Sequence, residues 1–138
     1  MARPADYPKT ASCACGALTV TVSAAPRMTH ACACHECQRS TGSAFSYSAF
    51  FAEDAVKISG ETKSYRRSSD AGRWQELNFC PTCGVSVLGR LEVLPGIVGI
   101  GVGCFADPNF EKPGKLFWAS RRHHWLELPA AVEPVETQ

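Results

Sequence analysis

A chain of 138 residues suits one domain and can bury a hydrophobic core without disulfide staples. Apolar residues make up 45% and charged residues 20%, with a formal charge of +1, which excludes a disordered chain and argues against a chain-wide basic footprint for DNA or membrane. The N-terminal residues carry no apolar signal core, and the longest apolar run, 94–105, is broken by Pro95 and four glycines, so the expected setting is a reducing cytoplasm.

Residues 1–11, with Pro4 and Pro8, read as a loose N-terminal segment. The first strand follows at Leu18, Val20 and Val22, which alternate with Thr19 and Thr21 at a period of two. A helical turn is predicted over 38–44. Tyr47, Phe50 and Phe51 lie in a β-prone run, and 56–59 is a short strand stopped by Gly60. Leu77 and Phe79 alternate into Cys80, and Val85 and Val87 follow the next turn. The stretch 97–102 is β-branched and laced with glycine, which suits a sharp bend or close backbone approach. The last predicted strand is 116–119, and 129–138 reads as a C-terminal tail, leaving 12–128 as one domain. Turn signals every dozen residues or less, with no long amphipathic helix, predict an all-β sandwich or barrel-like core.

The eight cysteines fall into three local clusters with Cys104 left over. Cys13-Ala-Cys15-Gly and Cys80-Pro-Thr-Cys83-Gly are look-alike turns, each with glycine after the second sulfur. Glycine there lets backbone N–H groups swing toward sulfur. Two such turns supply the four tetrahedral corners of a structural zinc site, so Cys13, Cys15, Cys80 and Cys83 are read as one closed four-thiolate centre whose binding energy is part of the folding energy. The middle cluster, Cys32-Ala-Cys34-His-Glu-Cys37, offers three thiolates and no obvious fourth ligand. Three protein ligands with an open corner is the form of a catalytic zinc. Three thiolates leave the ion with a net negative charge, which suits holding an incoming thiol as thiolate better than making hydroxide. The alternative is a second structural zinc closed by His30, His35, Cys104 or water.

The run Cys32-x-Cys34-x-x-Cys37-Gln38-Arg39-x-Thr41-Gly42-Ser43-Ala44-Phe45 resembles the signature of the glutathione-dependent formaldehyde-activating enzyme family. Cys13-x-Cys15-Gly16 upstream, Phe79-Cys80-x-x-Cys83-Gly84 downstream and Gly103-Cys104-Phe105-Ala106-Asp107-Pro108 fit the same pattern, so the likeness spans about 12–125. One departure is Ala33, where many members carry histidine; here His35 stands further on. The resemblance implies an Mss4-like fold of several twisted antiparallel sheets held by zinc–thiolate turns. It implies a structural zinc on Cys13, Cys15, Cys80 and Cys83 and a second zinc on Cys32, Cys34 and Cys37 beside a thiol substrate. The activity it implies is that of a carbon–sulfur lyase, with glutathione as cosubstrate and formaldehyde as the aldehyde, interconverting with S-hydroxymethylglutathione.

In that scheme a thiolate adds to an aldehyde carbonyl beside Cys32, Cys34 and Cys37, and Ser40, Thr41 and Ser43 are candidate donors to the developing alkoxide, though turn and capping roles suit them better. Arg39 is the first choice for a glutathione carboxylate, ahead of Arg66, Arg67, Arg73, Arg121 and Arg122. His123 and His124 read as a strand edge, and Trp74, Trp118 and Trp125 as core or cavity wall. Two other classes compete: a non-catalytic zinc module that binds a protein or small thiol, and a nucleic-acid-binding zinc ribbon, which the thirteen acidic residues disfavour. The expected partners are therefore a small thiol and an aldehyde, with no nucleic acid and no membrane; a homo-oligomer is left open.

Overall fold

The computed structural model describes residues 6–138. Eleven strands and one short α-helix are described: β1 (Lys9–Ser12), β2 (Thr19–Val22), β3 (Met28–Cys32), α1 (His35–Thr41), β4 (Ser46–Ala52), β5 (Val56–Ser59), β6 (Lys63–Ser68), β7 (Trp74–Phe79), β8 (Ser86–Leu91), β9 (Ile97–Gly101), β10 (Lys115–Phe117) and β11 (Glu133–Val135). The all-β expectation holds. No described helix is long and apolar enough to cross a membrane.

The strands form two sheets. β1, β2 and β5 make a three-stranded antiparallel sheet, and the other eight run in the order β11-β10-β3-β4-β9-β8-β7-β6. That larger sheet is not wholly antiparallel: β10 runs parallel to both β3 and β11. Parallel neighbours need long connections rather than hairpins. The chain supplies one by crossing from β3 through the rest of the sheet before returning as β10.

Parts of the two terminal segments are paired into sheets, and residues 1–5 of the first lie outside the described residues. Within the segments read as loose, Lys9–Ser12 pairs with β2 and Glu133–Val135 pairs with β10. Both are edge strands, where proline and charge are tolerated because one side of the ladder needs no partner.

Period-two alternation sets which side chains meet. Val20 and Val22 of β2, Ala49 and Phe51 of β4 and Val98 and Ile100 of β9 are buried in one core with Ala11, Leu18, Val87 and Phe105. Strands of both sheets contribute, so this core lies between the sheets. A second, smaller cluster of Ala31, Ala33, Leu116, Ala119 and Val132 packs the C-terminal segment against β3 and β10.

Residues of β4 that do not enter the main core face the other way. Register pairs His30 with Ser48 and Cys32 with Ser46. It also sets Phe50 opposite Gly99 and Gly99 opposite Gly89. A Cβ at Gly99 would sit 2.9 Å from the Phe50 ring, so glycine there makes room for that ring. This face, curved by the sheet twist and partly roofed by α1, is the floor of a cavity.

Candidate metal centres and the adjoining cavity

The two look-alike turns come together. The Sγ atoms of Cys13, Cys15, Cys80 and Cys83 all lie within 4.8 Å of one another. Gly16 and Gly84 adopt positive φ, 82° and 79°, a conformation that favours glycine. Each turn repeats the same hydrogen bonds. Cys13 N–H donates to Leu18 O at 3.0 Å, and Cys80 N–H to Val85 O at 3.0 Å. Gly16 N–H and Gly84 N–H close back on the carbonyls of Cys13 and Cys80. Sulfur receives the freed amides: Leu18 N–H donates to Cys13 Sγ at 3.3 Å and Thr82 N–H to Cys80 Sγ at 3.4 Å.

The donor set fits a tetrahedral metal. Cys13 and Cys15 sulfurs are 3.7 Å apart, and Cys15 and Cys80 sulfurs 3.6 Å. Sulfurs about 2.3 Å from a shared zinc would stand about 3.8 Å apart, against about 2.05 Å in a disulfide. All eight cysteines are free thiols.

The middle cluster is assembled differently. Cys32 ends β3, Cys34 caps the N-terminus of α1, and Cys37 lies in its first turn. Their Sγ atoms also lie within 4.8 Å of one another. Cys34 Sγ accepts Cys37 N–H at 3.3 Å, occupying the place of a serine or aspartate cap oxygen. The helix therefore starts at His35, three residues before the predicted turn, and Gly42 ends it at φ 64° with its N–H on Gln38 O. The Gln38 side chain ties the helix down by donating to Ala33 O and Arg121 O. Cys34 is drawn far below the usual thiol value, first by Cys32, then by Cys37 and its N–H, with the Arg67 charge adding to them.

Neither His30, His35 nor Cys104 joins this cluster. His30 lies in the same cavity, but its ring packs on Phe50 at 4.4 Å and edge-on to Phe117 at 4.9 Å. Burial first, then Lys115, lowers its pKa to about 4, so it is neutral. His35 lines a separate surface groove. Cys104 lies toward the other cluster, with Sγ 3.8 Å from Ser86 O. Burial, then Cys13 and Cys83, push its thiol up.

Cys32 and Cys37 line the cavity on the sheet face together with His30, Phe50, Phe117 and Arg67. Arg39 does not. Its side chain is 72% exposed and pairs with Glu36 at 2.7 Å. Arg67 is the arginine that the fold brings to the cluster: it is 9% exposed, and its Nη2 lies 3.8 Å from Cys37 Sγ. The other arginines are engaged at the surface. Arg66 stacks on Trp74 and pairs with Glu76, Arg121 stacks on Trp118 and pairs with Asp70, and Arg122 donates to Ala119 O. Arg73 lies in the exposed β6–β7 turn. His123 and Trp125 line the groove near His35; Trp125, 60% exposed, is a wall rather than core, and His123 lies outside any strand. His124 is exposed beside them.

The sequence profile of the glutathione-dependent formaldehyde-activating enzyme family matches residues 8–121. The chain belongs to that family, and its architecture is the all-β, Mss4-like one. A crystal structure of a Rhodobacter sphaeroides protein has the same fold, with a TM-score of 0.58 at 20% identity over 75% of this chain and 97% of that one.

Proposed function

We propose that the protein is a zinc-dependent carbon–sulfur lyase that interconverts a thiol and an aldehyde with their hemithioacetal. Glutathione, formaldehyde and S-hydroxymethylglutathione are the first set to test, by family membership. The observation that carries the reading is a three-thiol cluster with no fourth protein ligand among the described residues, opening onto a cavity. Cys13, Cys15, Cys80 and Cys83 hold a structural zinc, and Cys32, Cys34 and Cys37 a second. When bound at the second site, zinc supplies a positive centre that favours the thiolate form of a thiol. The free thiols suit a reducing cytoplasm.

The chain's own residues prepare the site. α1 fixes Cys34 and Cys37 through its N-cap, and β3 fixes Cys32 through its register with Ser46. Phe50, Phe117 and neutral His30 wall the cavity and limit water around the reacting sulfur. Ser40 and Thr41 are committed to the helix: both hydroxyls donate to Cys37 O, at 3.3 and 2.8 Å. Thr41 Oγ1 also accepts Ser43 N–H at 3.2 Å. They therefore hold Cys37 in place from the cavity wall.

The test is zinc quantification on purified protein followed by NMR exchange spectroscopy with glutathione and formaldehyde. The expected result is two zinc ions per chain and adduct exchange well above the uncatalysed rate. Fully loaded protein that binds glutathione without accelerating exchange would sink the lyase reading and leave a thiol-binding module.

A further inference from the structure

Arg67 is the one charged residue buried among the described residues. It sits on β6, the edge strand of the large sheet, opposite Gln75. One nitrogen, Nη2, is used on Cys37 Sγ. Nε and Nη1 are buried without a hydrogen-bond partner, and they are the only such side-chain atoms among the described residues. No carboxylate pairs with Arg67 among the described residues. A guanidinium stays charged in a protein, and unmet buried donors are costly enough to call for an acceptor. Arg67 also walls the cavity that holds Cys32 and Cys37, so an acceptor can arrive through that opening.

The position selects the acceptor. In a hemithioacetal the oxygen sits on the carbon bonded to sulfur, two bonds from it. The carboxylates of a peptide thiol lie several bonds further out. A donor that already touches Cys37 Sγ therefore meets the oxygen next to the reacting sulfur before it meets a carboxylate. The hydroxyls of Ser40 and Thr41 are spent on Cys37 O, whereas Arg67 carries buried donors without a partner.

We propose that Arg67 is a catalytic residue whose Nε–H, on the same edge of the guanidinium as the Nη2 that touches Cys37 Sγ, holds the adduct oxygen as an oxyanion. This rests on the lyase reading above. In the forward direction the thiolate sulfur attacks the carbonyl carbon, a C–S bond forms, and the carbonyl π pair moves onto oxygen against the Arg67 Nε–H. The proton lost from the thiol ends on that oxygen as the product hydroxyl. In reverse the oxyanion re-forms C=O and the C–S pair leaves with sulfur. No oxidant or further reactant is needed.

Arg67→Met is compared with wild type in three assays. The expected loss in adduct exchange is about 100-fold or more, as for other oxyanion donors, with zinc content and glutathione affinity within twofold. In wild type, the Arg67 Nε–H resonance shifts when formaldehyde is added to glutathione-loaded protein and stays put with glutathione alone. Arg67→Lys keeps the charge but loses the planar fork, with an expected loss of about 10-fold or more. It serves as the second variant if Arg67→Met fails to fold. An unchanged rate in either folded variant overturns the proposal while the lyase reading stands. So does loss of zinc or of glutathione affinity in place of the rate effect, since Arg67 would then neutralise the thiolates or grip a carboxylate. A loaded wild type without catalysis brings down both.

Discussion

The two cysteine clusters use one residue type for opposite ends. Cys13, Cys15, Cys80 and Cys83 bring the β1–β2 turn against the β7–β8 turn, so a metal held there would tie one sheet to the other, with Cys15 and Cys80 65 residues apart. Cys32, Cys34 and Cys37 belong to a single strand–turn–helix segment and tie together nothing that the chain does not already join. Closing a 65-residue loop removes about 4 kcal/mol of denatured-state entropy on a cross-link model, and closing a few-residue loop much less. Under the proposed metal loading, the long-range knot carries stability. The local cluster is free to carry chemistry, and it is the one that faces a cavity and a buried cation.

The sharpest way to break this contrast is to remove one sulfur from each side. Cys80→Ala is expected to unfold the protein at room temperature. A structural zinc contributes about 10–16 kcal/mol, as much as the whole stability of a domain this size. Circular dichroism and metal analysis check it; a cooperative melt near the wild-type Tm would show that the knot is not holding the sheets. Cys37→Ala is expected to do the reverse, abolishing adduct exchange and releasing one zinc while the Tm falls by only a few degrees. Equal destabilisation by the two variants would erase the distinction between the clusters.

A smaller effect probes the cavity floor. At Gly99 an added methyl would stand 2.9 Å from the Phe50 ring, and that ring shares the cavity with Cys32 and Cys37. Gly99→Ala must push the ring or the strand, costing about 1–3 kcal/mol by overpacking. The expected kinetic signature is a KM for the thiol raised several-fold with kcat changed less, and zinc content intact. The corresponding strain at the knot is absent, since Gly16 and Gly84 have open space beside them and fail on φ alone.

The clusters were legible in sequence because their ligands sit within short turns, so spacing alone reports which sulfurs point together. The strands at 19–22 and 97–101 were legible because alternating β-branched residues bury one face. What escaped is what lacks apolar periodicity. β6 reads Lys-Ser-Tyr-Arg-Arg-Ser, an edge strand whose one buried residue is a charge, so Arg67 ranked behind Arg39 in a reading based on nearness to the cysteines. The period-two spacing of Tyr65 and Arg67 was the signal available. β3, with His30 and Cys32 facing a cavity instead of a core, hid for the same reason. The helix start hid because sulfur, not oxygen, caps it.

The smallest prediction tests whether stability resides on the knot side. Tyr7 packs against the main core beside β1, and its phenol is raised to about 12, first by burial and then by Glu111, Asp6 and Asp107. Lys9 Nζ lies 5.7 Å from the ring centre and 2.5 Å from Asp107. A phenol with a folded-state pKa above the unfolded value near 10 holds its proton longer in the native state. Its contribution is therefore complete below pH 10 and is lost as pH rises through 12. Tyr7→Phe has no proton to lose, so its Tm is expected to match wild type at pH 8 and to fall less steeply between pH 10 and 12. Parallel melting curves across that window would place the alkaline loss elsewhere, with Tyr47 next in line, since burial and then Glu111 raise its phenol as well.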